Sequence, residues 1–384
     1  MIPQHSRRQF LRTTAAVGLA ATLPQLTPAA PAEQGGAFSF GLFGDIHFDR
    51  LAHHDMPWLA KEHPGDVSQV QNYSRLTTEI VPGLMGEMRD AVAAAPAPVP
   101  FVVQIGDVVE GLCGNSALAK TQCDEAVQLV KGATLGAPML ITKGNHDITG
   151  PGAKEAFDGV LMPFQRDAVG PAGIEMKQLA GACYAVERGD ALVAFYDSYD
   201  RASLPWLEKL LEKRSARHLL VMIHQPVIPY AARLWHVFDK PQQQEQRNRL
   251  VNLLGRHKAI VFNGHLHKYG LLARKTDGDG RIVQLSVSSV IPSATFQAKD
   301  VTEGADKYGP DVVELEPHFQ PDTKPQRREV LKAEAPMIEH YEYADAPGYA
   351  VVHVTPETVA ADVYLGLGKR LWRRVDLTKL LRGG

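Results

Sequence analysis

The sequence predicts a layered α/β fold built on a largely parallel sheet, and three observations predict it. Short apolar runs recur between Gly, Pro and polar residues, as strands buried on both faces require. Amphipathic helical patterns alternate with those runs, the arrangement that strand–helix–strand units produce. Five of the runs are followed at once by a small cluster of polar residues, and the loops leaving the carboxyl ends of such strands form the working crevice of this architecture.

The elements can be justified in chain order. A first strand is expected over residues 37–44, with Phe38, Phe40, Leu42 and Phe43, and Asp45-Ile46-His47 follows it. Residues 48–74 read as a long polar loop, and a helix over 76–95 is expected to be interrupted at Pro82-Gly83. A second strand, 99–105, leads into Gly106-Asp107 and then a helix over 119–131; a third, 138–142, leads into Gly144-Asn145-His146-Asp147. Tyr184 to Glu187 and Ala191 to Tyr196 flank Arg188-Gly189-Asp190, the pattern of a hairpin. A helix over 204–214, a strand over 218–223 and the trio His224-Gln225-Pro226 come next. Another helix, 243–256, precedes a strand over 259–262 and Gly264-His265-Leu266-His267. Strands over 282–288, 349–354 and 359–365 complete the set, the last alternating as a half-exposed antiparallel strand should.

The chain has 384 residues with 41 Lys and Arg against 43 Asp and Glu. It begins with Ser6-Arg7-Arg8-Gln9-Phe10-Leu11-Arg12, an apolar stretch over 15–23 and an Ala/Pro-rich segment ending at Ala32. Paired arginines, a moderate apolar region and small residues at the cleavage point make residues 1–32 a twin-arginine export signal, too short in its apolar part to span a bilayer. The implied partner is the twin-arginine export machinery, and the implied destination is the periplasm or the medium, with no membrane anchor. Cleavage after Ala32 removes three arginines and no acid, leaving a net charge near −5. No basic excess exists to neutralise a nucleic-acid backbone, which argues against that class of partner.

The polar clusters carry the chemistry. Asp45, His47, Asp107, Asn145, His224, His265 and His267 offer seven oxygen or imidazole donors and no thiolate, a set suited to Mn, Fe, Zn or Ni. Seven ligands exceed what one tetrahedral ion with an open position takes, and they suit two ions sharing a bridging carboxylate. Each cluster alone has a plainer explanation, because Asp, Asn and His are ordinary turn residues. Their order along the chain, each after a strand, is what singles them out.

In that order the blocks resemble the calcineurin-like metallophosphoesterases: Asp-x-His, Gly-Asp, Gly-Asn-His-Asp, His and Gly-His-x-His, from Asp45 to His267. The resemblance implies a two-sheet αββα sandwich with surface insertions and a hydrolase of phosphoric esters that uses a metal-bridging hydroxide. It puts Asp45, His47 and His267 on a first metal, Asn145, His224 and His265 on a second, and Asp107 on both. His146 would face the substrate and Asp147 would hold its imidazole. Glu110 ends the second block where many relatives have Asp and purple acid phosphatases a ligand Tyr, which argues against a tyrosinate-coordinated iron. The alternatives are a scaffold member that keeps the fold without the chemistry, which typically loses ligands that this chain retains, and a nucleotide pyrophosphohydrolase, whose separate nucleoside-binding domain finds no counterpart here.

The expected organisation is a catalytic core over 37–296, an irregular insertion or lid over 297–348 that would bring in His318, His340 or Tyr341, and C-terminal strands over 349–384 completing the sandwich. The 48–74 loop is expected to form a pocket wall, with His54 or Arg75 meeting the small-molecule phosphoester. Cys113 and Cys123 are spaced to close a small disulfide loop, with three buried thiols the other reading. Lys369, Arg370, Arg373 and Arg374 fit a solvated edge strand.

Overall fold

The computed structural model describes residues 36–383, so the export signal lies outside the described residues. Among the described residues fifteen strands form two sheets. They are β1 (Phe38–Phe43), β2 (Val102–Ile105), β3 (Met139–Thr142), β4 (Lys177–Ala180), β5 (Cys183–Arg188), β6 (Ala191–Tyr196), β7 (His218–Ile223), β8 (Ala259–Asn263), β9 (Tyr269–Lys275), β10 (Arg281–Ser286), β11 (Lys299–Glu303), β12 (Ile338–Asp345), β13 (Gly348–Val354), β14 (Val359–Leu365) and β15 (Leu371–Asp376). One sheet runs β15-β14-β13-β1-β2-β3 and the other β11-β12-β9-β10-β8-β7-β6-β5-β4. Pairing is parallel along β1-β2-β3 and along β6-β7-β8-β10, and antiparallel elsewhere.

Helices α1 (Met56–Glu62), α2 (Val67–Glu79), α3 (Val81–Ala93) and α4 (Ser116–Ala133) come before β3; α5 (Ala153–Ala156) and α6 (Met162–Val169) follow it, and then come α7 (Ser203–Glu212), α8 (Gln244–Arg256), α9 (Lys324–Glu334) and α10 (Leu377–Arg382). The period-2 alternation of β1 explains the layering. Phe38, Phe40 and Leu42 point between the sheets, where Phe40 meets Phe262 of β8 edge-on at 5.8 Å, while Phe43 points outward to Leu84 and Met88 of α3. On the far side Leu219, Val221 and Ile223 of β7 pack under Leu207 and Leu210 of α7 and Leu250 and Leu254 of α8. The result is an αββα sandwich in which both central sheets are covered on both faces.

Several expectations change. The polar clusters do not leave one sheet: three follow β1, β2 and β3, while His224 and Gly264-to-His267 follow β7 and β8 of the other. Residues 48–74 are mostly helical, not a loop; α2 is polar overall, but Val70, Tyr73, Leu76 and Thr77 form one buried stripe. Pro82 does not break a helix, because it sits in the first turn of α3, where a missing N–H costs nothing. The 297–348 stretch is not simply irregular. It contains α9 and β12, and β12 pairs with both β9 and β11, burying Tyr341 and Tyr343. A register shift between Ile338 and His340 spoils the alternation by which β12 could have been read. His340 pairs with Glu342 and Tyr341 donates to the Tyr230 carbonyl, so these two side chains are engaged elsewhere, while His318 is exposed.

Cys113, Cys123 and Cys183 are buried free thiols. The basic residues near the end lie on or beside the edge strand β15, with Arg374 held on Asp362 at 2.6 and 2.8 Å. No helix among the described residues is long and apolar enough to cross a membrane.

Candidate metal centre

The two sheets present their strand ends to one crevice, and tight turns there aim the side chains. His47, Asp107, His265 and His267 all have left-handed backbone, with φ between 48° and 75°. Such conformations are costly for residues with a side chain and gather at functional sites. Gly106, with φ of 77°, allows a close approach: a Cβ there would lie 2.5 Å from His224 Nδ1.

Seven donors converge. Asp45, His47, Asp107 and His267 bring one ligand atom each within 4.8 Å of one another, and Asp107, His224 and His265 do the same. In the first group His47 Nε2 lies 3.0 Å from His267 Nε2 and 3.7 Å from Asp107 Oδ2. In the second, His224 Nε2 lies 3.1 Å from each of Asp107 Oδ2, Asn145 Oδ1 and His265 Nδ1. Asp107 belongs to both. The resemblance puts these seven residues in two groups sharing Asp107, and the structure brings their side chains together around that carboxylate.

The electrostatics bear on whether cations fit. Burial pushes the Asp45 carboxyl up to about 6 despite His224. Burial also opposes charge on His47 and His224, yet Glu110 beside the first and Asp107 beside the second carry both up to about 9. Their neighbours go the other way: burial and the charge on His224 hold His265 down to about 3, and burial and His47 hold His267 well below the ordinary histidine value. Buried carboxylate, amide and imidazole donors gathered in two groups that share Asp107 are a donor set that fits a pair of metal ions.

A second layer aims the donors. His47 Nδ1 donates to Glu110 Oε2 at 2.7 Å and His224 Nδ1 to the Ile105 carbonyl at 2.8 Å, which turns each Nε2 inward. Asp45 accepts from the His265 backbone N–H at 2.9 and 3.0 Å. His146 is fixed from two sides, its N–H on Asp107 Oδ1 and its Nδ1 on the Glu110 carbonyl, both at 2.8 Å, leaving Nε2 free to face the crevice.

Asp147 does not hold His146. Its buried carboxylate accepts from the N–H groups of Asp107, Val108, Val109 and Gly144 at 2.8–3.1 Å, so it ties the second and third blocks together. His54 does not face the crevice either: Nε2 is 2.7 Å from Asp49 Oδ1 and Nδ1 3.1 Å from the Leu112 carbonyl, in a buried network that includes Ser74 and Gln122. The exposed Arg75 is spent on Glu79 at 2.6 Å and Asn72 at 3.0 Å.

Aromatic residues complete the surroundings, and sequence reasoning assigned them no role. Tyr73 stacks on His47 at 4.3 Å and 7°, the Tyr199 hydroxyl approaches Asn145 Oδ1 at 3.4 Å, and Trp235 stands 5.9 Å from His265. Of these only Tyr73 had a local signal, standing in the segment expected to wall the pocket.

The calcineurin-like phosphoesterase family model matches residues 38–269, and the model of twin-arginine translocation signal sequences matches residues 4–24. No curated protein matches. Among solved structures, purple acid phosphatase PPD1 from yellow lupin seeds is similar with 13% identity and a TM-score of 0.51, over 89% of this chain and 54% of that one. GAP50, the anchor in the inner membrane complex of Plasmodium, is similar with 11% identity and a TM-score of 0.50, over 90% and 93%. The chain spans about half the length of the lupin protein, and at these identities both likenesses are of fold alone.

Proposed function

The chain belongs to the calcineurin-like phosphoesterase family, and on that premise we propose that it is an exported hydrolase of phosphoric esters working with two metal ions. The observation that carries this reading is the sharing of Asp107 between two groups of donors, one around His47 and one around His224. Asp45, His47 and His267 would hold one ion, Asn145, His224 and His265 the other, and Asp107 both, with Mn, Fe, Zn and Ni all compatible with the donors. Two ions held there would supply Lewis acidity to the phosphoryl oxygens and an activated water.

The chain's own residues do the rest. Glu110 and the Ile105 carbonyl hold the imidazoles in the tautomer that leaves Nε2 as a donor of electrons. His146, with Nδ1 committed to the Glu110 carbonyl, presents Nε2 for a hydrogen bond to a phosphoryl oxygen or for protonation of the departing alcohol. The mature enzyme would comprise a core over 37–296, a wall over 297–348 that includes β12, and closing strands over 349–384. The twin-arginine route moves chains already folded, so ions can be loaded before export.

The test is metal content together with a panel of phosphomonoesters, cyclic and linear diesters and nucleotides, run on stripped protein reloaded with each metal. Two ions per chain and hydrolysis of at least one ester class are expected. Two ions with no hydrolysis of any of them would favour the scaffold reading, and fewer than two under saturating metal would remove the dinuclear one.

A further inference from the structure

The rim of the donor cluster carries an exposed indole. Trp235 leaves 37% of its surface open, in the connection between His224 and α8, beside the His265 imidazole. Ligand sites are lined mainly by apolar and aromatic side chains with a few placed polar groups, and such a grouping surrounds the indole. Phe319 stands edge-on to the indole at 5.4 Å, and the Arg233 guanidinium lies 5.3 Å from the indole centroid and 5.0 Å from the Phe319 ring. Arg233 donates Nε to Glu316 at 2.7 Å; its Nη1 and Nη2 make no hydrogen bond among the described residues.

This group is built rather than incidental. Arg327 of α9, 6% exposed, donates Nη1 to the Ala232 carbonyl and Nη2 to the Phe319 carbonyl, both at 2.6 Å, while its guanidinium covers the Phe319 ring at 5.2 Å. One buried side chain thereby fastens the segment that carries Phe319 to the one that carries Trp235.

We propose that Trp235, Phe319 and Arg233 form the subsite for the leaving group of the substrate, and that this leaving group is an alcohol carrying a planar aromatic ring. The ring would stack on the open part of the indole, and the Nη1 and Nη2 groups of the Arg233 guanidinium would donate to oxygens on the ring or on the phosphoryl group. Hydrolysis breaks the P–O ester bond, the oxygen of water joins phosphorus, and a proton from that water ends on the departing oxygen, releasing the aromatic alcohol. The proposal rests on the phosphoesterase reading and adds its substrate class.

The test uses the metal-loaded mature protein with benzyl phosphate and cyclohexylmethyl phosphate, whose alcohols match closely in bulk, and with the methyl diesters of both. Benzyl esters are expected to react with a kcat/KM about three- to tenfold higher, the range that aromatic stacking supplies. Trp235→Ala is expected to bring that ratio to about one and Trp235→Phe to keep most of it. A parallel preference for nucleoside 5′-phosphates over ribose 5-phosphate would support the same subsite and identify the ring as a nucleobase. Benzylphosphonate, which cannot be hydrolysed, is expected to quench indole emission in the native protein and not in Trp235→Phe. Equal rates for the benzyl and cyclohexylmethyl esters, or a preference that survives Trp235→Ala, would overturn the proposal. Quenching through Trp235 without hydrolysis of any ester would overturn the phosphoesterase reading and leave an aromatic subsite standing.

Discussion

Glu110 Oε2 lies 2.7 Å from His47 Nδ1, and both side chains are fully buried. The contact orients a proposed metal ligand from behind, while the Glu110 main-chain carbonyl orients His146. Removing the charge without changing the shape isolates the first role. Glu110→Gln is expected to weaken binding at the first metal position about 10- to 100-fold, the usual cost of losing such a partner. A competition titration with a chromophoric chelator measures it; an affinity equal to that of the native protein would deny Glu110 this role.

Gly264 faces Asp45 so closely that a Cβ would come 2.5 Å from Oδ2 and 3.1 Å from Cγ. The carboxylate is buried and accepts the His265 N–H, so it has little room to retreat. Gly264→Ala is expected to displace Asp45, lowering metal content from two ions toward one and costing about 1–3 kcal/mol from overpacking. Elemental analysis of the purified variant, alongside its thermal transition, checks both. Full metal content would show that the turn relaxes around the added methyl.

His146 and Asp147 are neighbours in sequence with different expected phenotypes. His146→Ala removes the one imidazole whose free nitrogen is assigned to substrate, so kcat is expected to fall about 10²- to 10⁴-fold with metal content unchanged. Asp147→Ala strands four backbone N–H groups in the interior. Each buried unsatisfied donor costs about 1–3 kcal/mol, so that variant is expected to lose stability before anything else can be read. Melting temperatures and single-turnover rates measured together separate the two; similar melting curves for both would refute the assignment to Asp147.

The residues that converge were legible because each follows an apolar run, and strand ends meet wherever sheets pack. What local sequence could not supply was direction. Asp147 adjoins His146, but a single turn of 3-10 helix over His146–Ile148 sends its carboxylate back to the preceding loops. Likewise β12 hid behind a register shift, and the division of the five clusters between two sheets depends on long-range pairing that no single run encodes. Trp235 and Phe319 meet where Arg327 and Arg233 tie their segments together, Arg327 reaching across 95 positions on one side and 8 on the other.

Away from the crevice, Glu334 of α9 is buried between Arg247 of α8, at 2.5 Å, and Arg274 of β9, at 2.7 Å. Burial alone would raise its pKa, and the two guanidinium groups outweigh that and hold the carboxyl below the ordinary glutamate value of 4.5. A depressed folded-state pKa contributes stability that is present above the unfolded value and is lost as pH falls through the folded one. Glu334→Gln leaves the buried Arg247 and the partly buried Arg274 without their counter-charge, an expected loss of about 3–5 kcal/mol near neutral pH. Because the native carboxylate is itself protonated in sufficient acid, the gap between native and variant should narrow as pH falls below about 4.5. Urea unfolding of both proteins in steps from pH 7 to pH 3 cancels the contribution of other carboxylates, which titrate in both. A gap that stays constant across that range would mean the triad stabilises through packing and not through charge.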